Sequence, residues 1–245
     1  LDRPDRANAM TPVMFDELLA FTRSLEKDRE ARVVILAGAG TVFCAGYDMA
    51  DAAALPELGA IGFLDLQETA ARALSSIRAL AIPVIAAVNG AAAGGGLALA
   101  LSADIRLASP TAKFNAAFVK IGLSAGDLGT SWLLPRVVGP GRANEIAFTG
   151  RLVDAVEAER IGLVNAISAE GALIDDARAM AALIVANSPA GVRVSKAALR
   201  TNLDIPYAAA MELENRGQTL LTATTDMPEA LAAFGEKRPP RFTGH

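Results

Sequence analysis

Three consecutive glycines, residues 94–96, mark the part of this 245-residue chain where backbone groups could take part in chemistry. The preceding apolar run, residues 84–88, lies between Pro83 and Asn89-Gly90, which predicts a buried strand that ends in a turn. A helical pattern of apolar residues begins at Leu97. Glycines at a helix start allow close backbone approach and leave N–H groups pointing outward. Such groups can stabilise negative charge on a carbonyl oxygen, although a tight strand–helix junction without a ligand explains the same residues.

The histidine and cysteine counts exclude several classes of catalytic site. His245 is the only histidine and the last residue, and Cys44 is the only cysteine. A Ser-His-Asp or Cys-His arrangement and a zinc site of histidine and cysteine ligands are therefore not expected. Cys44 itself is read as a small packed residue rather than a nucleophile. Any chemistry must then depend on carboxylates, hydroxyls, lysines or backbone groups.

Charge and hydropathy exclude two kinds of partner. The net charge is −4 and no basic cluster stands out, so neither nucleic acid nor an anionic membrane is an expected partner. No apolar run reaches the length of a membrane span, and no signal-peptide pattern opens the chain. A single cysteine cannot form an internal disulfide, which is compatible with a reducing compartment. We therefore expect a cytoplasmic protein.

The first hundred residues alternate between predicted helices and strands. Thr11-Pro12 predicts a helix start, with threonine at the N-cap and proline at the first helical position. The continuous apolar run at 33–37 predicts a strand buried on both faces. Residues 55–80 have helical periodicity with a start broken by proline and glycines, which suits either a mobile lid or an ordinary surface helix.

The rest of the chain changes in character near residue 169. Short strands are predicted at 104–108, 113–114 and 163–167, and helices at 128–134, ended by Pro135, and at 151–162. The strands are expected to pair in parallel, because strands and helices alternate. From 169 to 245 the pattern is helix after helix. We expect an α/β core over 1–168 and a helical region over 169–245.

Three segments together resemble the crotonase superfamily, the enoyl-CoA hydratase/isomerase family. LDRPDRANAM at 1–10 is similar to the family's opening motif, and FCAGYDM at 43–49 is similar to its F-C/S-A-G-x-D motif. IPVIAAVNGAAAGGGLALALSADIRLAS at 82–109 matches its central signature at most positions. The resemblance implies a spiral core of repeated ββα turns, a helical C-terminal trimerisation region, and a homotrimer or dimer of trimers. It also implies an acyl-CoA thioester as substrate and no cofactor beyond that CoA moiety.

Carried over by position, the resemblance implies an oxyanion hole of two backbone N–H groups, those of Tyr47 and Gly95. Both would bind the thioester oxygen as it gains enolate charge, and one such donor is typically worth about 3–4 kcal/mol. Further residues are expected to contact the CoA thioester or to order the segments that hold it: Arg6, Ala7, Ala45, Asp48, Met49, Gly94, Phe118, Phe234 and Lys237. Lys237 would act by charge on phosphate, although a solvated basic tail explains the segment FGEKRPPRF equally well.

The chain departs from the family at the two catalytic glutamates of a typical hydratase. Their positions are occupied by Ala98 and Phe118, neither of which can transfer a proton. Asp127, in GLSAGDLGTSWLLPR, lies where dienoyl-CoA isomerases and chlorobenzoyl-CoA dehalogenase have an aspartate that acts as a base or a nucleophile. An apolar pocket, with Phe118 and Trp132 nearby, would raise the pKa of this carboxyl and suit it to proton transfer. Alternatively, Asp127 only caps the following helix.

The sequence therefore favours a family enzyme that moves a double bond over one that hydrates it. Isomerisation needs one mobile proton and an enolate, whereas hydration also needs a positioned water. Asp65 and Glu68, in the candidate lid, are possible second acid–base groups. Two other functions stay open: an acyl-CoA-binding relative without catalysis, and hydrolysis or dehalogenation with Asp127 as nucleophile. A serine peptidase of related fold is disfavoured, because His245 is its only possible histidine.

Overall fold

The computed structural model describes residues 1–52 and 55–244. The strands are β1 (Val34–Ala37), β2 (Val84–Val88), β3 (Ala91–Ala93), β4 (Ile105–Ala108), β5 (Lys113–Asn115), β6 (Val153–Asp154) and β7 (Ala166–Ile167). The helices of the first two-thirds are α1 (Pro12–Lys27), α2 (Met49–Ala52), α3 (Gly59–Ala79), α4 (Gly95–Ser102), α5 (Thr130–Val138), α6 (Pro140–Thr149) and α7 (Ala155–Arg160). The later helices are α8 (Leu173–Val185), α9 (Pro189–Thr201), α10 (Tyr207–Thr222) and α11 (Asp226–Glu236).

The strands form two small sheets. One has the order β1-β2-β4-β7 and the other has the order β3-β5-β6. The pairs β2–β4, β4–β7 and β3–β5 are parallel, as the alternating pattern predicts. The pair β5–β6 is antiparallel, and its strand β6 lies where the sequence predicts a helix over 151–162. Together with the helices of the C-terminal region, these sheets give the mixed α/β architecture that the sequence predicts.

Helix α4 and strand β2 form the centre of the core. Every residue of both elements is buried. Neither element carries a charged side chain, and the one polar side chain, the hydroxyl of Ser102, donates to Ala98 O at 3.0 Å. Helix α1 begins as predicted: the Met14 backbone N–H donates to the Thr11 hydroxyl at 3.3 Å, and Pro12 is the first helical residue. Helix α1 packs against α3 and thereby sets which face of α3 looks inward.

Several predicted elements have different limits. Strand β1 alternates buried and half-buried residues, so it is not buried on both faces. Helix α5 runs through Pro135 to Val138, and the chain turns only at Gly139, whose φ is +79°. The region 151–162 is not one helix, because Val153 and Asp154 pair with β5 and the Asp154 carboxylate then caps α7 by accepting from Glu157 N–H at 2.8 Å. The strand predicted at 163–167 is limited to Ala166–Ile167.

The described residues divide into two compact units. The first comprises segments Leu1–Asp28, Ile35–Leu80 and Val84–Arg178, and contains β2 to β7 and α1 to α7. The second comprises Arg29–Val34, Ala81–Pro83 and the chain from Ala179 onward. The division into 1–168 and 169–245 that the sequence suggests stays a prediction. Within the described ranges, no helix is both long enough and apolar enough to cross a membrane.

Candidate active site

Tyr47 lies on a backbone segment that is held against Met10. The Met10 N–H donates to Gly46 O at 2.7 Å, and the Asp48 N–H donates to Met10 O at 2.9 Å. Met10 and Tyr47 thereby form a short parallel bridge. The preceding Cys44 is bridged in the same way to Ala92 in β3. The path of the chain through Tyr47 is thus determined by backbone hydrogen bonds on both sides, whatever side chain stands there.

Gly95 is the first residue of α4, and its N–H belongs to the unpaired first turn of a buried helix. The segment before Tyr47 approaches this helix start so closely that only glycine fits. A Cβ on Gly46 would lie 2.7 Å from Ala93 O and 3.3 Å from Gly95 N, and a Cβ on Gly96 would lie 2.0 Å from Cys44 O. The close packing therefore brings the two predicted oxyanion segments side by side in the structure.

These two segments line one wall of a cavity of about 170 Å³. The lining residues are Met10, Phe15, Ala45, Gly46, Tyr47, Met49, Phe63, Leu66, Gln67, Ala70, Gly94, Gly95, Ala117, Phe118, Ile121, Leu123, Asp127 and Leu128. Polar side chains among them are limited to Tyr47, Gln67 and Asp127. Asp127 is the only carboxylate in this set, and the set has no lysine, arginine or histidine. The cavity is thus an apolar chamber with a single acid.

Asp127 lies half-buried in the loop before α5. Burial raises the pKa of its carboxyl above the ordinary value, and the Leu128 backbone N–H lowers it by a smaller amount. Leu128 adopts a φ of +48°, a left-handed conformation that is uncommon for leucine. The helix cap is Gly129, and no side chain caps α5. The alternative interpretation of Asp127 as the cap of α5 is therefore wrong.

The two positions of the absent hydratase glutamates lie in different surroundings. Phe118 lines the cavity, and its ring lies beside Gly94, with Cε1 3.7 Å from the position of a Cβ on that glycine. Ala98 is fully buried in α4 and is not one of the lining residues. At one of the two positions that the resemblance gives to the glutamates, an apolar ring therefore lines the cavity.

Among the other predicted binding residues, Ala45, Met49 and Gly94 line the cavity, and Ala7 accepts the Ala45 N–H at 3.1 Å. Arg6 and Asp48 lie in a separate ionic cluster. The Asp48 carboxylate accepts from Arg6 at 2.8 Å, from Arg3 at 3.2 Å and from the Ala50 N–H at 3.1 Å. The Arg6 hydrogen bond is the main reason that the pKa of Asp48 is lowered to about 2.

Phe234 and Lys237 lie at the end of α11, in the second compact unit. The Phe234 side chain is 87% exposed, and Lys237, with φ +56°, ends the helix in the left-handed conformation. Neither residue is one of the lining residues of the cavity. Their predicted contact with CoA stays a prediction.

Three side chains that the sequence suggested for the site do not line the cavity: Trp132 as a neighbour of Asp127, and Asp65 and Glu68 as second acid–base groups. Asp65 and Glu68 are exposed, and Glu68 pairs with Arg72 at 3.5 Å, so neither lines the cavity. Trp132 is not a lining residue of the cavity either. Its ring lies against the guanidinium groups of Arg78, at 5.0 Å, and Arg136, at 3.7 Å. Helical periodicity shows which residues share a face but not which face looks inward.

The structure excludes Cys44 as a nucleophile. Its side chain is fully buried, and burial raises the pKa of the thiol to about 11. Over residues 1–52 and 55–244, no group of three or more His, Cys, Asp or Glu side chains could hold a metal ion. His245, the one histidine, lies outside the described residues.

Sequence reasoning missed one whole wall of the cavity, which α3 supplies. Phe63, Leu66, Gln67 and Ala70 line it, at the spacing i, i+3, i+4, i+7 of one helix face. The helical periodicity of residues 55–80 indicates that these four side chains share one face of a helix. The pattern does not show whether that face borders a cavity or packs against other side chains. Gln67 is the unexpected member, because it places an amide on an otherwise apolar face.

Comparison with known proteins places this architecture in a family. The family model described as enoyl-CoA hydratase/isomerase matches residues 1–245. A probable enoyl-CoA hydratase of Mycobacterium bovis, echA12, is 42% identical over 99% of this chain and 87% of its own. A probable enoyl-CoA hydratase of Rhodobacter capsulatus is 40% identical over 100% of this chain and 93% of its own.

Solved structures agree with the sequence relatives. The crystal structure of a putative enoyl-CoA hydratase from Streptomyces coelicolor superimposes with a TM-score of 0.96 at 40% identity, covering 100% of this chain and 90% of the other. The enoyl-CoA hydratase structure from Bacillus anthracis has the same TM-score at 32% identity, covering 100% and 94%. The chain belongs to the enoyl-CoA hydratase/isomerase family of enzymes and has the crotonase fold.

Proposed function

We propose that this enzyme moves a double bond in an enoyl-CoA thioester, using Asp127 to transfer the proton. The family acts on acyl-CoA thioesters. The observation that carries the finer proposal is that Asp127 is the only carboxylate among the described residues that line the cavity, in the same chamber as Tyr47 and Gly95. The resemblance of its loop to that of dienoyl-CoA isomerases supports the assignment.

The chemistry needs one base and one oxyanion site. The ionised Asp127 carboxylate removes a proton from C2 of a 3-enoyl-CoA, and the electron pair moves through the carbonyl carbon onto the thioester oxygen. The N–H groups of Tyr47 and Gly95 stabilise that oxygen. Protonated Asp127 then returns the proton at C4, the electron pair moves back, and the 2-enoyl-CoA forms with no net change in atoms. A carboxyl with a raised pKa suits both halves of this cycle, because it is a stronger base than an ordinary aspartate.

Hydration is less well supported, even though several relatives carry the name hydratase. Water must be both positioned and deprotonated, and the two side chains that do this in a typical family hydratase are Ala98 and Phe118 here. Phe118 turns an apolar ring toward the cavity instead. These replacements also favour the second candidate function, an acyl-CoA-binding relative without catalysis.

The remaining parts of the proposal concern the CoA moiety and the assembly. Arg6, Phe234 and Lys237 are proposed to contact CoA, the two cations by charge on phosphate, and Asp48 to order the loop after Tyr47. No cofactor beyond the CoA of the substrate is proposed. We also propose a cytoplasmic homotrimer or dimer of trimers, on the resemblance to the family. Sedimentation of the purified protein tests the oligomeric state.

Deuterium exchange tests the role of Asp127. Wild type and Asp127→Asn are incubated in deuterated water with saturated, 2-enoyl, 3-enoyl and dienoyl-CoA esters, and mass spectrometry follows incorporation. We expect wild type to exchange the C2 proton and interconvert the enoyl isomers, and the variant to lose about 10²–10⁴-fold in rate. Asp65→Asn is the matched control, because Asp65 is an exposed aspartate that does not line the cavity.

The outcomes separate the candidate functions. Exchange that survives Asp127→Asn at the wild-type rate contradicts the proposed role. Tight binding of CoA esters with no exchange and no product in either protein supports the binding relative. A 3-hydroxyacyl product formed from the 2-enoyl ester supports hydration.

A further inference from the structure

Gln67 is a polar side chain that lines the cavity and has no role in the proposed reaction. It lies on α3 between Leu66 and Ala70 on the face that looks into the cavity. The side chain is half-buried, and its amide has no hydrogen-bond partner in the described part of the chain. An amide that lies against apolar walls loses free energy unless a partner satisfies it. Inside the cavity, a bound ligand that carries a polar oxygen can be that partner.

We infer that Gln67 selects acyl groups that carry a neutral oxygen, such as a hydroxyl or an oxo group, away from the thioester. The inference rests on the proposed acyl-CoA function and goes beyond it by naming the class of acyl group. A carboxamide has two N–H donors and one carbonyl acceptor, so it can pair with an oxo oxygen or with a hydroxyl. It cannot transfer a proton at ordinary pH, which makes it a recognition group and leaves proton transfer to Asp127.

The charges of the cavity argue against an acidic acyl group. The described lining residues contain no lysine, arginine or histidine that could pair with a carboxylate. Asp127 is the only ionisable acid there, and its negative form would repel a second carboxylate. A neutral polar substituent needs no cationic partner and is not repelled by the Asp127 carboxylate.

The remaining walls limit the rest of the acyl group. Phe15, Phe63 and Leu66 contribute apolar surface around Gln67, so the chain itself should be hydrocarbon. The volume of about 170 Å³ is equivalent to about six groups the size of a water molecule. Six-carbon esters are therefore suitable probes.

Calorimetric titration tests the inference without turnover. Wild type and Gln67→Leu are titrated with hexanoyl-CoA, 5-oxohexanoyl-CoA, 6-hydroxyhexanoyl-CoA and adipoyl-CoA. We expect wild type to bind at least one of the oxygenated esters about tenfold more tightly than hexanoyl-CoA, and to bind adipoyl-CoA most weakly. Gln67→Leu should abolish the preference, because leucine keeps the approximate volume and removes the amide. Leu66→Met, a volume-conserving apolar change on the same face, should alter all affinities together and keep the ratio.

Each outcome decides the inference. Equal or weaker binding of both oxygenated esters by wild type overturns it, and so does a preference that survives Gln67→Leu. Absence of binding by all four esters overturns it together with the acyl-CoA function. Loss of the proposed proton transfer in the exchange experiment would leave the affinity ratios unchanged, so the two failures are distinguishable.

Discussion

Asp127 and Asp48 carry the same side chain in opposite surroundings. Asp127 faces an apolar cavity with no cationic neighbour among the lining residues, and burial raises its pKa. Asp48 is more deeply buried, yet it accepts hydrogen bonds from Arg3, Arg6 and the Ala50 N–H, and its pKa is lowered to about 2. Partners, and not depth alone, decide the direction of the shift.

This difference in pKa indicates different roles: Asp127 can exchange a proton, whereas Asp48 connects two segments of the chain. The Asp48 carboxylate stays ionised at neutral pH and connects the loop after Tyr47 to the segment that carries Arg3 and Arg6. Among the described residues the Asp127 carboxyl pairs with no cation, so it can exchange a proton with a ligand in the cavity. A carboxyl group whose pKa is raised in a cleft is a candidate for a functional acid or base.

The largest effect is expected on the pH dependence of catalysis. The proposed base must be ionised, so kcat/KM for isomerisation should fall about tenfold per pH unit below the pKa of Asp127. That pKa should lie above the ordinary value of about 3.9 for aspartate. A pH–rate profile of wild type checks this. The residual activity of Asp127→Asn should lack the fall in kcat/KM at low pH. If the midpoint of this fall in kcat/KM lay at or below the ordinary aspartate pKa, the pKa of Asp127 would not be raised, and its contrast with the lowered pKa of Asp48 would fail.

A smaller effect is expected on stability when Asp48 is neutralised. Because the folded pKa of Asp48 is lowered, its contribution is present above the unfolded pKa and is lost as pH falls through the folded value. Asp48→Asn should therefore lower Tm at pH 7, and the difference from wild type should shrink between pH about 4 and about 2. Thermal unfolding of both proteins across this range measures it. Asp5→Asn, at an exposed neighbour, is the control and should leave Tm unchanged.

The smallest effect is expected on the stability of Asp127→Asn, with the opposite sign. A raised folded pKa means that folding favours the neutral carboxyl, and this stability is lost as pH rises through the folded pKa. Asparagine is neutral at every pH, so the variant should have a modestly higher Tm than wild type at pH 7. The gain should vanish below the unfolded pKa of about 3.9. A lower Tm at pH 7 would show that the Asp127 carboxylate stabilises the fold.

The motifs predicted the backbone parts of the site better than its walls. The buried strand at Val84–Val88 and the helix that begins at the glycine triplet are confirmed, because continuous apolar runs between turn residues have few other solutions. Proline commonly ends a helix, and this rule predicted that α5 ends at Pro135, whereas the helix continues to Val138. The cap of α5 was also misjudged, since Gly129, and not the aspartate two residues earlier, occupies that position.

The amino-acid sequence by itself determined the family, because its motifs depend on residue types at short spacing. It also led to the prediction that the Tyr47 and Gly95 N–H groups form the oxyanion site. Only the tertiary structure decided which polar side chains face the cavity. Asp127 and Gln67 line it, whereas Asp65 and Glu68, only two residues and one residue from Gln67, point away. The physical reason is that the inward face of α3 and the burial of Asp127 are set by packing between segments distant in sequence, and pKa follows burial and partners.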